Sequence, residues 1–252
     1  MKNLSNKTLI LITVLSALFF SCTKNKSTNA PTPKGLLYLH LHTNIDTNEV
    51  TAGTAVYDSD GRHFQLDVAE FYISGITLHK ADGSIVTLSN VYILKTIDSE
   101  QFYVDSVVAG NYVSISFNVG IDATSNLNNP GNYPLTNPLS AKDPVMWFGA
   151  TTQGYIFMNL QGKADTTAAQ TGIVNYPFSY QTGTGNMLET VNMPNKAFAV
   201  IGNQVSFVHI IADYGKALRG VNFKTNNMAT PWINNSVATQ IANNIPTMFR
   251  YE

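Results

Sequence analysis

The fold class of this chain is decided by one stretch. It consists of Met146-Trp147-Phe148-Gly149, the polar loop Ala150-Thr151-Thr152-Gln153, and Gly154-Tyr155-Ile156-Phe157-Met158-Asn159-Leu160-Gln161-Gly162. Tyr155, Phe157 and Asn159 alternate with Ile156, Met158 and Leu160. Successive side chains of a strand point to opposite faces, so a run that is apolar on both is covered on both and sits centrally in its sheet. Trp147 stands at the end of that strand, where loops gather and sites are usually built.

Outward from this strand the same period of two recurs in short segments. Leu36–Ile45 sets Leu37, Leu39 and Leu41 on one face and Tyr38, His40 and His42 on the other. Arg62–Val68 and Glu70–Leu78 follow, with Gly75 breaking the alternation as a bulge does. Ala81-Asp82-Gly83-Ser84 turns Ile76–Lys80 into Ile85–Leu88 as a hairpin. Tyr112–Gly120, Ile173–Tyr180, Met187–Val191, Ala197–Ile201 and Gln204–Ala212 read as further strands. The long Asn-, Pro- and Ser-rich loop from Asp122 to Asp143 is of a length that is often functional, and Asp122 and Asn126 are placed to fold it through side-chain to backbone bonds. One helix is expected, Ser236–Phe249, capped by Ser236, with Val237, Ile241 and Ile245 on one stripe and Pro246 ending or kinking it near Asn244. The pattern is all-β: a single β-sandwich of Ig-like or Greek-key type with long loops and a short C-terminal helix.

Charged residues make up only 12% of the 252, and the formal charge of −1 falls to about −3 once Lys2 and Lys7 are removed with the leader. No basic field exists to neutralise phosphates, which excludes nucleic acid as a partner. The single cysteine, Cys22, excludes an intrachain disulfide and a cysteine-based zinc site.

Lys2 and Lys7, the apolar run Leu9–Phe20, and Ser21-Cys22 have the form of a secretory signal, and the run is too short to span a membrane comfortably. Phe19-Phe20-Ser21-Cys22 resembles a bacterial lipobox of the kind common in Bacteroidota lipoproteins, which makes Cys22 the lipidated first residue of the mature chain. Residues 1–21 are then the signal peptide, 22–35 a flexible tether and 36–252 the sandwich domain. The tether lacks acidic residues after the cysteine, which points to an outer-membrane protein facing the periplasm.

Candidate chemistry centres on histidine. His40 and His42, two apart on a strand, have Cα atoms about 7 Å apart and can converge on one copper or zinc ion. The other reading of the pair is a half-exposed polar face or histidines satisfied by hydrogen bonds. His209, among Val205, Phe207, Val208, Ile210 and Ile211, reads as a hydrogen-bonded core histidine, the alternative being a third partner for the pair. His63 and His79 read as surface residues. No nucleophile stands beside a base and no carboxylate pair lies in an apolar setting, so the chain does not read as an enzyme.

Several of these segments carry a resemblance. Phe71-Tyr72-Ile73-Ser74, then Val108-Ala109-Gly110-Asn111-Tyr112 with Ile115 to Asp122, then the Met146-Trp147, loop, Gly154-Tyr155, apolar strand, Gly162 run follow the order found in the MbnP-like family. These are extracytoplasmic β-sandwich proteins related to bacterial copper-binding proteins, and the resemblance extends from about Leu36 to Phe249. It implies copper held by histidine and an oxidised tryptophan (kynurenine), with a dihaem peroxidase-like partner making the modification. His42 matches the first-strand histidine and Trp147 the tryptophan of the Met-Trp run; His40 is added from strand geometry. Tyr180 or Gln181 stands where the family often has a further histidine. The copper expectation thus requires His40, His42 and Trp147 to share one pocket. The alternative is a metal-free outer-membrane lipoprotein that grips a glycan, peptide or protein through the long loop near Trp147.

Overall fold

The computed structural model describes residues 31–252. The signal peptide, Cys22 and most of the tether lie outside the described residues. The first half of the chain forms β1 (Lys34–Ile45), β2 (Asn48–Glu49), β3 (Ala55–Tyr57), β4 (His63–His79), β5 (Ile85–Thr87), β6 (Ile93–Lys95), β7 (Gln101–Val108), β8 (Gly110–Tyr112) and β9 (Ser114–Val119). A one-turn helix α1 (Ala123–Asn126) then opens the long loop. The second half adds β10 (Ile156–Ala164), β11 (Tyr176–Gly183), β12 (Glu189–Asn192), β13 (Phe198–Val200), β14 (Val205–Asp213), α2 (Tyr214–Ala217), β15 (Met228–Ala229), α3 (Asn235–Asn244) and β16 (Phe249–Tyr251).

Two sheets carry the fold. The five-stranded sheet runs β16-β14-β1-β2, with β7 also paired to β1; the nine-stranded sheet runs β12-β9-β4-β10-β11-β15, with β3, β5 and β6 on β4. Their facing sides meet in one core that joins Leu37, Leu39 and Leu41 of β1 to Phe71 and Ile73 of β4 and to Met158 and Leu160 of β10. The all-β sandwich expected from the alternation is the observed architecture. At Gly75, where φ is +59°, the pairing of β4 with β9 slips as a bulge requires.

β10 lies between β4 and β11, and every residue from Ile156 to Leu160 is buried. The long loop explains its second apolar face. Tyr72, Tyr155, Ile156 and Phe157 turn away from the main core into a second cluster roofed by Ile121, Leu139 and Met146. Four bonds fasten that roof. Asp122 caps α1 by accepting from the Thr124 and Ser125 amides, Asn126 Oδ1 accepts from the Tyr155 amide at 2.8 Å, and the Tyr155 hydroxyl donates to the Leu139 carbonyl at 2.7 Å. The expected roles of Asp122 and Asn126 hold.

Three local readings are corrected. The helix α3 starts at Asn235 behind Asn234 rather than with Ser236 as cap; it ends at Asn244 before Pro246, but Phe249 is not its continuation. Phe249 instead opens β16, which pairs antiparallel with β14. Met187 closes a short 3-10 turn, and the strand there starts at Glu189.

Candidate metal centre

β1 is flanked on both edges. Along one it pairs parallel to β14, with His40 opposite His209 and His42 opposite Ile211. Along the other it pairs antiparallel with β7 from Lys34 to His40 and with β2 at Asn44 and Ile45. Since Leu37, Leu39 and Leu41 fill the core, Tyr38, His40 and His42 project from the outer face of this sheet. His209 projects from the same face. Its neighbours Val208 and Ile210 are buried, whereas its own side chain is 45% exposed. His209 is therefore not the expected core histidine. It is the third partner of the pair, brought there by a strand pairing that the sequence does not announce.

The three rings form a tight group. His40 and His42 have ring centroids 4.3 Å apart, and His40 and His209 4.8 Å. One nitrogen from each of His40, His42 and His209 lies within 4.8 Å of the others. The Nδ1 atoms of His40 and His209 are 3.1 Å apart. Two imidazole nitrogens bound at about 2.0–2.1 Å to one tetrahedral ion stand about 3.3 Å apart, so this spacing needs little adjustment to hold a metal. His42 Nε2 is buried and makes no hydrogen bond; Glu252 Oε2 approaches it only to 3.5 Å. A buried ring nitrogen without a partner fits a ligand position.

Three carboxylates surround the rings, and no sequence pattern marks any of them. Glu100 Oε2 lies 3.2 Å from His40 Nε2, Glu49 Oε1 3.5 Å from His42 Nδ1, and Glu252 Oε2 3.1 Å from His209 Nδ1. They come from the residue before β7, from β2, and from the residue after β16. The hydrogen bond from His40 holds the Glu100 carboxyl below its usual range against the opposing effect of burial.

Two buried arrangements fix this frame. Lys95 is fully buried, and its Nζ donates to Thr43 Oγ1 at 2.7 Å, the Thr96 carbonyl at 2.6 Å and the Ile97 carbonyl at 3.3 Å. It thereby ties β1 beside His42 to the turn that carries Glu100; burial brings its ammonium down to about 8, against weak pulls upward from Glu100 and Asp98. At the other edge, Asp213 Oδ1 accepts from the Asp46 amide at 2.8 Å and Asp213 Oδ2 from Arg250 at 3.0 Å. Arg250 also donates to the Asp46 carbonyl at 2.8 Å, which clamps β16, and with it Glu252, onto the end of β14.

Trp147 does not join this group. It is half-buried and bridges to Tyr155, its ring 4.8 Å from the tyrosine ring, in the cluster under the long loop. That cluster covers the face of the nine-stranded sheet turned away from the core, while the histidines project from the outer face of the other sheet. Trp147 packs its ring on Tyr155 and not on the three imidazoles, so the expected pocket shared by His40, His42 and Trp147 is not formed, and the imidazoles gathered together are those of His40, His42 and His209. Gln181 lies opposite Asn159 in the nine-stranded sheet, so the histidine missing there takes nothing from this site. His63 and His79 are half-buried rather than surface residues: His63 stacks on Tyr57 with centroids 4.2 Å apart, and His79 Nε2 is 2.8 Å from Ser116 Oγ.

A family model described as MbnP matches residues 34–236. The chain belongs to the MbnP family. Among solved structures it is similar to MbnP from Methylosinus trichosporium, with 15% identity over 78% of this chain and 81% of that one and a TM-score of 0.53, a likeness that shows a common fold. No curated protein matches it. The first strand and the Met-Trp run, which carried the resemblance, both lie within the matched span. In this MbnP-family chain the histidine of β1 is one of three.

Proposed function

We propose that this MbnP-family protein binds copper at the outer face of its five-stranded sheet through His40, His42 and His209, as a non-catalytic, lipid-anchored protein of the cell envelope. The observation that carries the reading is the convergence of three imidazoles, from two strands far apart in sequence, with one nitrogen from each within 4.8 Å of the others. Imidazole suits copper and zinc, and family membership favours copper. The lipobox-like Phe19-Phe20-Ser21-Cys22 supports anchoring at Cys22 in the outer membrane, facing the periplasm. Trp147 lies outside this ligand set, so copper binding here does not depend on its oxidation by a dihaem peroxidase-like partner. The test is a Cu(I) and Cu(II) competition titration of the wild type against His40→Ala, His42→Ala and His209→Ala. Each variant is expected to lose at least tenfold in affinity, and equal affinity in all four proteins overturns the assignment.

A second reading, a binding site for a glycan or peptide, is favoured by a groove of about 470 Å³ between β6, β7 and the long loop. Tyr92, Phe102 and Tyr103 offer aromatic surface there, with Gln101, Asn137 and Asp143 as polar partners. Trp147 is not among its lining residues. Loss of glycan-array or peptide binding on Phe102→Ala with Tyr103→Ala, copper binding being intact, would support it.

A further inference from the structure

The histidine pair of β1 has two sides, and only one is nitrogen-rich. Towards β14 and β16, His40 Nδ1 meets His209 Nδ1 at 3.1 Å and His42 Nε2 faces Glu252 Oε2 at 3.5 Å. Towards β7 and β2, the opposite nitrogens of the same rings face carboxylates: His40 Nε2 meets Glu100 Oε2 at 3.2 Å and His42 Nδ1 faces Glu49 Oε1 at 3.5 Å. One donor atom from each of His42, Glu49 and Glu100 lies within 4.8 Å of the other two. The division follows from topology, since β1 lies between β14 and the β7–β2 edge and each imidazole presents one nitrogen to each neighbour.

The geometry points to a second metal position, formed by His42 Nδ1, Glu49 and Glu100, that takes a divalent cation of the zinc class. The inference rests on the copper reading of the neighbouring site. Two carboxylates and one imidazole neutralise a doubly charged ion and leave an open coordination position, a donor set suited to Zn(II) and poor for a monovalent, soft ion. Neutral imidazoles on the other side suit Cu(I) equally well. Both positions fill without a bridging imidazolate. When Zn(II) fills both, the first ion keeps His40 Nδ1, His209 Nδ1 and Glu252 while His42 turns over to the second ion through Nδ1, with the remaining proton of each β1 ring on Nε2; with a single copper ion bound, His42 Nε2 completes the three-histidine set. His40 Nε2–H then donates to Glu100, the outer-sphere carboxylate that metal-bound histidines commonly have, and Glu100 keeps its other oxygen for the second ion. Glu49, Glu100 and Glu252 together offset the repulsion between two cations held this close.

The test is equilibrium dialysis against Zn(II), and separately against Cu(I), with elemental analysis of metal per chain and a melting curve to verify folding. The wild type is expected to hold two Zn(II) but one Cu(I). The Glu49→Gln/Glu100→Gln protein should hold one Zn(II) and still one Cu(I), and His209→Ala should retain one Zn(II) that the additional Glu49→Gln/Glu100→Gln change removes. One Zn(II) in the wild type, or two in the folded Glu49→Gln/Glu100→Gln protein, overturns the second position and leaves the copper reading standing. No metal of either kind in the wild type overturns both.

Discussion

His40 and His209 face each other across a parallel strand pair, 169 positions apart in the chain, with Nδ1 atoms 3.1 Å from one another. Two lone pairs at that distance repel unless a proton or a cation lies between them. In the apo protein one of the two rings therefore donates an Nδ1–H across this gap, and a bound metal takes that place while the proton passes to Nε2 of the same ring. Nitrogen-15 NMR of the histidine rings should show this change of tautomer on zinc loading, and unchanged ring-nitrogen shifts with metal bound would contradict it.

Trp147 and the histidines have separable roles. Trp147→Ala should leave copper affinity within twofold of wild type while lowering stability by about 2 kcal/mol, less than a fully buried aromatic costs because the ring is half-exposed. Denaturant unfolding and a copper competition titration on the same variant make the comparison. A tenfold loss of copper affinity would place the indole back in the site.

The roof over β10 depends on Asn126. Asn126→Ala leaves the buried Tyr155 amide without its acceptor and should cost about 2 kcal/mol. Limited proteolysis should show faster cleavage between residues 122 and 155 than in wild type, with the strands on the opposite sheet unaffected.

Glu70 gives the protein an alkaline-side weakness. Burial, reinforced by the negative charge of Asp143 and opposed by the neighbouring Asn159 amide, raises its carboxyl from 4.5 to about 7. Between those values the folded state holds a proton that the unfolded state releases, so stability is greatest below about 4.5 and falls as pH rises to about 7. Glu70→Gln mimics the protonated form. Its melting temperature should exceed wild type at pH 8 and match it at pH 4, and a constant difference across that range would rule the explanation out.

Gly162 of β10 lies against the backbone of β4. A Cβ there would lie 2.0 Å from the Gln65 carbonyl oxygen and 2.8 Å from the Phe178 ring, and backbone cannot step aside as a side chain can. Gly162→Ala should cost about 3 kcal/mol in denaturant unfolding.

The faces of individual strands were legible because burial has a period of two, which Leu37, Leu39 and Leu41 of β1 obey, with Leu36 the exposed leucine out of phase. Strand partners were not. His209 read as a core residue because Phe207 and Ile211 share its face, yet Phe207 is 40% exposed and that face is the outer one. Apolar residues on an outward face defeat a rule that equates apolar with buried. Glu49, Glu100 and Glu252 lie near no histidine in sequence, and only the strand pairing assembles them. Trp147 drew attention as an aromatic at a strand end, but aromatics also serve to seal a second apolar face.

The parallel pairing of β1 with β14 has a consequence for biogenesis. Residues 34–45 emerge early, and the strand that completes their metal-binding face spans 205–213. A chain truncated before residue 205 carries His40 and His42 but lacks the strand that sets His209 beside them, so the three-imidazole cluster comes into being only when the ends of the domain have met.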